Sequence, residues 1–326
     1  MKSNLPFVRQ VTFALGALLI PVLAFAQDVA PGTVINLPTP AGVNIRHDLP
    51  YDTHPRQKLD LYLPIGRPAQ PRPVIVFIHG GGWLRGSKAD GRRLALRFVA
   101  QGYAVASVDY RLSSDAGFPA QLEDCKSAVR WLRGNAERYG LDREHIGVIG
   151  VSAGGHLAAL MGAMNSSRLY ESGGSLDQHS RVQGVVDFFG PVDLLQLFDD
   201  AQKLKDPLAG EIAQLLGGDP HRVPVPTTAS NPTLFIDVET PPFLIIHGDQ
   251  DTSIPLAQSR LLFDALVKSN VSAHLHLIHG ADHFGPAFAA PEINAMLDAF
   301  FARLLKNDAQ SPELKPADLT QSSAAK

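Results

Sequence analysis

The chain has 326 residues, of which 45% are hydrophobic and 19% charged, with 28 glycines and 25 prolines. These are the proportions of a globular protein, and they exclude a disordered chain, a collagen-like repeat, a coiled coil and a multispan membrane protein. Lys and Arg total 29 against 32 Asp and Glu, a formal charge of −3, which argues against a nucleic-acid partner and gives no electrostatic reason for binding to a membrane surface.

The first 26 residues stand apart. Residues 11–26 carry no charge, follow a short stretch with Lys2 and Arg9 and no acid, and close on Ala24-Phe25-Ala26 before the polar Gln27. This is the layout of a secretory signal peptide, with cleavage expected after Ala26. A membrane anchor is the rival reading. Spanning takes about 20 apolar residues, however, and this run is shorter and contains Pro21. The mature chain is therefore expected to be periplasmic or secreted, with no membrane span. Residues 27–40 read as an irregular lead-in. The single cysteine, Cys125, allows no internal disulfide. It recurs with Leu122, Val129 and Leu132 at helical spacing and reads as a small core residue.

From there, apolar β-like runs alternate with helix-period segments. The predicted strands are residues 43–47, 59–63, 74–79, 104–109, 146–151, 184–189, 243–247 and 273–278. The runs at 74–78, 146–149 and 243–246 are dominated by Val, Ile, Leu and Phe, which suits parallel strands covered on both faces. The first two strands alternate instead and suit an antiparallel pair at an edge. Helices are predicted over residues 89–100, 120–137, 153–164, 255–269 and 291–305, with Pro255 and Pro291 at starting positions. The alternation implies an α/β fold with a mostly parallel eight-stranded sheet flanked by helices. Residues 191–242 interrupt it with an amphipathic piece (194–216) and a Pro/Thr-rich stretch (223–232), which reads as a small lid excursion. One catalytic domain thus covers residues 41–305, and residues 306–326 form a polar, flexible tail.

The most informative segment joins the strand at 146–151 to the helix at 153–164. Gly150, Ser152 and Gly154 form G-x-S-x-G between strand and helix, the context this motif requires. A sharp turn there lifts a serine above the sheet as a nucleophile, and side chains at 150 and 154 would collide in it. The helix start then aims free N–H groups at developing negative charge. A second segment, His79-Gly80-Gly81-Gly82-Trp83, follows a buried strand. Its glycines let the backbone approach a ligand closely. The amides of Gly81, Gly82 and Ala153 are candidates for holding an oxyanion. No G-K-[ST] follows, so a phosphate-binding P-loop is unsupported. Trp83 either walls a substrate pocket or packs in the core.

HGGGW followed by GVSAGG resembles the α/β-hydrolase superfamily. The closest branches are carboxylesterases near the hormone-sensitive-lipase group and the bacterial feruloyl/acetyl-xylan esterase-like (BD-FAE-like) families. Residues 109–113 (DYRLS) and 118–124 (FPAQLED) are similar to the segments that link the two motifs, and the resemblance covers roughly residues 45–305. Hormone-sensitive-lipase relatives usually carry an acidic residue directly before the serine, where this chain has Val151. That departure tilts the resemblance toward the feruloyl-esterase-like branch.

The resemblance implies a Ser-acid-His order along the chain. His283, in the loop at 280–285, is similar to the family's G-x-x-H loop, with His279 as rival. Residues 247–255 are similar to the family pattern H-G-x-x-D-x-x-V-P, with Ile254 in place of Val, which makes Asp251 the acid and leaves Asp249 as the alternative. A metal reading of Asp249 and Asp251, or of His274 and His276, is weaker than solvated side chains. His156 is expected to be a structural hydrogen-bonder, and Asp193 a helix cap.

The function so implied is a serine carboxylesterase acting on short-chain acyl, acetyl or feruloyl esters. Its partner is a small-molecule or polysaccharide-linked ester, and it needs no cofactor and no metal. A prolyl-oligopeptidase-type peptidase and a non-catalytic binding protein on the same fold are the alternatives. Oligomeric state is not readable from the sequence.

Overall fold

A computed structural model describes residues 39–312. The expected signal peptide, most of the lead-in and the end of the tail lie outside the described residues.

Eight strands form one sheet in the order β1-β2-β4-β3-β5-β6-β7-β8. In chain order the elements begin with β1 (Val43–Pro50), β2 (Lys58–Pro64), β3 (Arg72–Ile78), α1 (Arg92–Val99) and β4 (Ala104–Val108). Then come α2 (Ala120–Gly134), α3 (Ala136–Tyr139), β5 (Leu141–Val151), α4 (Ala153–Ala163) and β6 (Val185–Phe188). The excursion holds α5 (Leu194–Leu204), α6 (Leu208–Leu216) and α7 (Pro224–Ala229), and the chain closes with β7 (Phe243–Gly248), α8 (Ala257–Lys268), β8 (Ala273–Ile278) and α9 (Pro291–Leu305). All eight predicted strands are present. From β4 to β8 the pairing is parallel, while β2 runs antiparallel to β1 and β4.

Alternation along the central strands divides the core into two layers. Val74, Val76 and Ile78 point to one face, where Leu122, Cys125 and Val129 of α2, Leu157 and Leu160 of α4 and Leu262 of α8 cover them. Ile75 and Phe77 point to the other, under Phe98 of α1 and Leu297 and Phe301 of α9. Each fully buried side chain of this kind contributes about 1.5–3 kcal/mol. Cys125 is fully buried in the first layer, and burial pushes its thiol well above the usual range, as its core position leads one to expect.

The differences from the sequence-based elements have local causes. In β2 the alternation reflects a paired acid rather than an exposed face. Asp60 is buried, yet it accepts from Lys88 Nζ at 3.0 Å and the Asp48 amide at 2.9 Å and pairs with His47 at 2.9 Å. Burial alone raises its carboxyl, and these partners bring the net value below the ordinary one. The first predicted helix starts instead as a 3₁₀ turn, Lys88–Gly91, capped by Ser87. The predicted helix at 120–137 breaks at Asn135, which separates α2 from α3. The amphipathic piece of the excursion is two helices, because Lys205 turns left-handed (φ +56°) and Pro207 follows. Asp193 caps α5 as expected, accepting from the amides of Leu195 and Gln196. Helix α8 begins at Ala257, two residues beyond Pro255.

Candidate active site

Strand β5 ends at Val151 and α4 begins at Ala153, so Ser152 alone makes the turn, at φ +55° and ψ −120°. A left-handed φ at a non-glycine residue is strained, and it persists only where the surroundings enforce it. Here the Ser152 amide donates to the Phe188 carbonyl at 2.9 Å and its own carbonyl accepts from the His156 amide at 3.1 Å. The two flanking glycines are sterically required. A Cβ on Gly150 would lie 2.0 Å from the Gly154 carbonyl oxygen, and one on Gly154 would lie 2.2 Å from that of Ile78. Both obstacles are backbone. Gly150→Ala is therefore expected to destabilise the fold by about 1–3 kcal/mol, a fall of roughly 3–10 °C in the thermal unfolding midpoint for a domain of this size.

Ser152 Oγ lies 3.0 Å from His283 Nε2, and His283 Nδ1 lies 2.7 Å from Asp251 Oδ2. Strand β5, the loop after β8 and the loop after β7 thus bring these three side chains into one line. Asp251 is fully covered. Its Oδ1 accepts from the amides of Ser253 (2.9 Å) and Ile254 (2.8 Å). Burial pushes the carboxyl up, but hydrogen bonds from His247 and His283, with that of Ile254, hold it well below the usual carboxylate range. An anion facing Nδ1 fixes the hydrogen there and leaves Nε2 to accept from the serine hydroxyl.

The other candidates have partners of their own. Asp249 pairs with His279 at 2.9 Å, and the His279 side chain is 82% exposed. His156 is buried, and its Nε2 donates to the Ser230 carbonyl at 2.7 Å. Burial brings its imidazole down to about 4. It is a structural hydrogen-bonder. His274 and His276 lie side by side on β8 with ring centroids 6.4 Å apart. Among the described residues no group of three or more His, Cys, Asp and Glu side chains is placed to hold a metal ion.

Gly81 (φ +102°), Gly82 (φ +60°) and Trp83 (φ +58°) turn left-handed in succession. They bring the loop after β3 to a cavity of about 370 Å³ whose walls include Gly81, Gly82, Trp83, Ser152, Ala153 and His283. Trp83 is both core and wall: it is 1% exposed and stands edge-on to His156 at 5.3 Å. The excursion contributes Asp206, Leu208 and Glu211 to its lining. A Cβ on Gly82 would fall 1.9 Å from Glu211 Oε2, and Glu211 Oε1 accepts from Arg85 at 2.8 Å. Two residues to which the sequence assigns no role of their own are therefore part of this site. One is Glu211, seated on the glycine loop. The other is His247, fully buried, with Nε2 at 2.8 Å from the Ile254 carbonyl and 3.2 Å from Asp251 Oδ2.

A family model for BD-FAE matches residues 59–266. The chain belongs to the BD-FAE family. Esterase LipC of Mycobacterium tuberculosis is 32% identical over 260 residues, 76% of this chain and 62% of that protein. Isoprenylcysteine alpha-carbonyl methylesterase ICME of Arabidopsis thaliana is 28% identical, over 73% of this chain and 56% of its own length. The chain thus spans little more than half the length of these curated relatives. Solved structures are covered more fully. A truncated carbohydrate esterase from gut microbiota superposes with a TM-score of 0.70 at 29% identity, over 81% of this chain and 96% of that one. Esterase B of Lactobacillus rhamnosis gives a TM-score of 0.69 at 26% identity, over 85% and 91%. The fold is that of the α/β-hydrolases. Membership of BD-FAE agrees with Val151 standing where hormone-sensitive-lipase relatives carry an acid.

Proposed function

We propose that this BD-FAE chain is an exported serine carboxylesterase that cleaves carboxylic esters through an acyl-enzyme. The unbroken line from Ser152 Oγ through His283 to the Asp251 carboxylate carries this reading. The esterase names of its relatives and structural neighbours support it. Ser152 Oγ attacks the ester carbonyl as His283 Nε2 takes its proton. The amides of Gly81, Gly82 and Ala153 stabilise the oxyanion; one such donor is worth roughly 3–4 kcal/mol in a well-studied hydrolase. The tetrahedral species collapses, breaking the ester C–O bond as His283 protonates the leaving alcohol. His283 then draws a proton from water, which attacks the acyl carbonyl and frees the acid and Ser152. Esters set against matched amides test the reading: amides cleaved at comparable rates would overturn it in favour of a peptidase. Export rests on the basic start, the apolar run and Ala24-Phe25-Ala26. It is tested by the mass of the secreted or periplasmic chain, expected to begin at Gln27.

His247 acts through Asp251, as a positioning residue. Its Nε2 faces two acceptors and so carries a hydrogen, while Nδ1 lies 2.7 Å from Ser259 Oγ. A hydrogen bond to a charged group contributes about 1.5–3 kcal/mol, so His247→Asn is expected to lower kcat/KM for esters about ten- to hundredfold. Losing a donor leaves the carboxylate more basic and the imidazolium of His283 better stabilised. The acid limb of the pH profile should therefore move to higher pH. A loss of rate without that displacement would reduce His247 to a packing role.

A further inference from the structure

A second cavity, of about 510 Å³, adjoins the one that holds Ser152 at the glycine loop. Its apolar lining includes Phe77, Leu94, Val151, Phe188, Phe189, Phe288 and Ala289. The two cavities share Gly81, Arg85 and Phe284. This volume falls within the range of small-molecule pockets, which are apolar with few polar groups. Arg85, Asp90, Arg93 and Arg97 also line it: Arg97 pairs with Asp298, Arg85 with Glu211 and the Asp90 carboxylate with the Ser87 amide, while Arg97 Nη1 is buried without a hydrogen-bond partner among the described residues.

The chamber abuts the reacting atoms. The Phe189 ring sits 4.5 Å from the His283 ring, as does that of Phe284. Phe288 packs against Phe189 at 4.8 Å. Gly80, which also lines the chamber, would place a Cβ 3.2 Å from that of Ser152. Phe284 is 63% exposed at the junction of the two cavities. It meets Phe189 edge-on at 5.3 Å, so the aromatic lining of the chamber continues to the edge of the Ser152 cavity. The Ser152 cavity is smaller and has fewer aromatic walls, with Asp206 and the Arg85-paired Glu211 among its lining.

We propose that this aromatic chamber binds the apolar group of the ester, a six- to ten-carbon chain or a single aromatic ring, while the Ser152 cavity takes the smaller or more polar part. The assignment rests on the esterase reading and names the substrate class of that site. It predicts a preference for esters with one bulky apolar half over methyl acetate. Apolar area buried in the chamber contributes roughly 25 cal/mol per Å², and face and edge contacts with Phe189 and Phe288 favour a ring.

The test narrows the chamber without touching the hydrogen-bonded line. Ala289→Trp and Leu94→Trp each add a side chain to its wall, and thermal unfolding selects the folded variant. Two ester series are compared with methyl acetate: methyl hexanoate and methyl benzoate vary the acyl half, and hexyl and benzyl acetate vary the alcohol half. The expected result is a fall of tenfold or more in kcat/KM for one series, with methyl acetate unchanged within twofold. The affected series says which half occupies the chamber. An equal fall for methyl acetate, or no fall in either series, overturns the proposal. If the unaltered protein turns over no ester, the esterase reading fails and the chamber is judged on binding alone. N-phenyl-1-naphthylamine, an uncharged fluorophore, is then titrated into Ser152→Ala. Saturable, blue-shifted emission that Ala289→Trp abolishes upholds the apolar site, and its absence refutes it.

Discussion

Ser152→Ala is expected to lower kcat/KM for esters by about 10⁴–10⁶-fold, as removing the nucleophile of such a line does elsewhere. The size follows from what remains. A methyl group at position 152 cannot form the acyl-enzyme, so His283 can only assist direct attack by water, while the loop amides still stabilise an oxyanion. A residual rate above the uncatalysed one is therefore part of the expectation. Binding should change little, because the glycine loop and the second cavity are untouched and the first loses only one hydroxyl from its wall. A fluorophosphonate probe makes the same point without a substrate: the unaltered protein should carry one adduct, on the peptide containing Ser152, and Ser152→Ala none. Labelling that persists in the variant would place the nucleophile elsewhere. The variant should also fold at least as well as the parent, since alanine removes no bond that orders the turn. The Ser152 contacts that fix φ at +55° run through its backbone amide and carbonyl.

Which parts of this arrangement the sequence discloses depends on how local their cause is. The turn at Ser152 is legible because its glycines answer obstacles four residues away or less, or on the neighbouring strand: Gly150 meets Gly154, and Gly154 meets Ile78. The eight strands are legible because continuous apolar runs have few alternatives once helical patterns lie between them. Asp251 and His283 are legible only through family likeness. Spacing alone leaves Asp249 and His279 in place as rivals, and the difference is made by long-range geometry that joins Asp249 to His279 near the surface and Asp251 to His283 inside. Glu211 leaves no signal, since it meets Gly82 across more than a hundred residues, whereas His247 is visible as the histidine four residues before Asp251 and only the turn of its ring toward that carboxylate is not. Helix ends are misread where backbone conformation decides, as at Lys205. Asp60 misleads in β2 because an acid in an alternating run looks exposed until its partners are known.

Asp251→Asn is expected to lower kcat for esters by about 10⁴-fold near neutral pH, with KM little changed. The reason lies in the charge. In the parent, Oδ2 lies 2.7 Å from His283 Nδ1 and 3.2 Å from His247 Nε2, and Oδ1 accepts from two backbone amides. An amide in that place offers an N–H to one of these donors, so either His283 turns its tautomer or a buried donor loses its partner. In the first case Nε2 carries the hydrogen and cannot take the proton of Ser152. Neither case leaves an anion to stabilise the imidazolium. Stability should follow the same charge. A carboxyl held below its unfolded value, which lies near 4, stabilises the fold at pH values above that point and loses the contribution as the pH falls through the folded value. The gap in unfolding midpoint between the parent and Asp251→Asn should therefore be widest near neutrality and close as the pH falls below about 4. Asp249→Asn supplies the control: it breaks a pair whose histidine is exposed, where such pairs contribute at most about 1 kcal/mol, and should leave activity within twofold. Comparable losses in the two variants, or full activity in Asp251→Asn, would return the choice of acid to Asp249 or remove the acid from the mechanism.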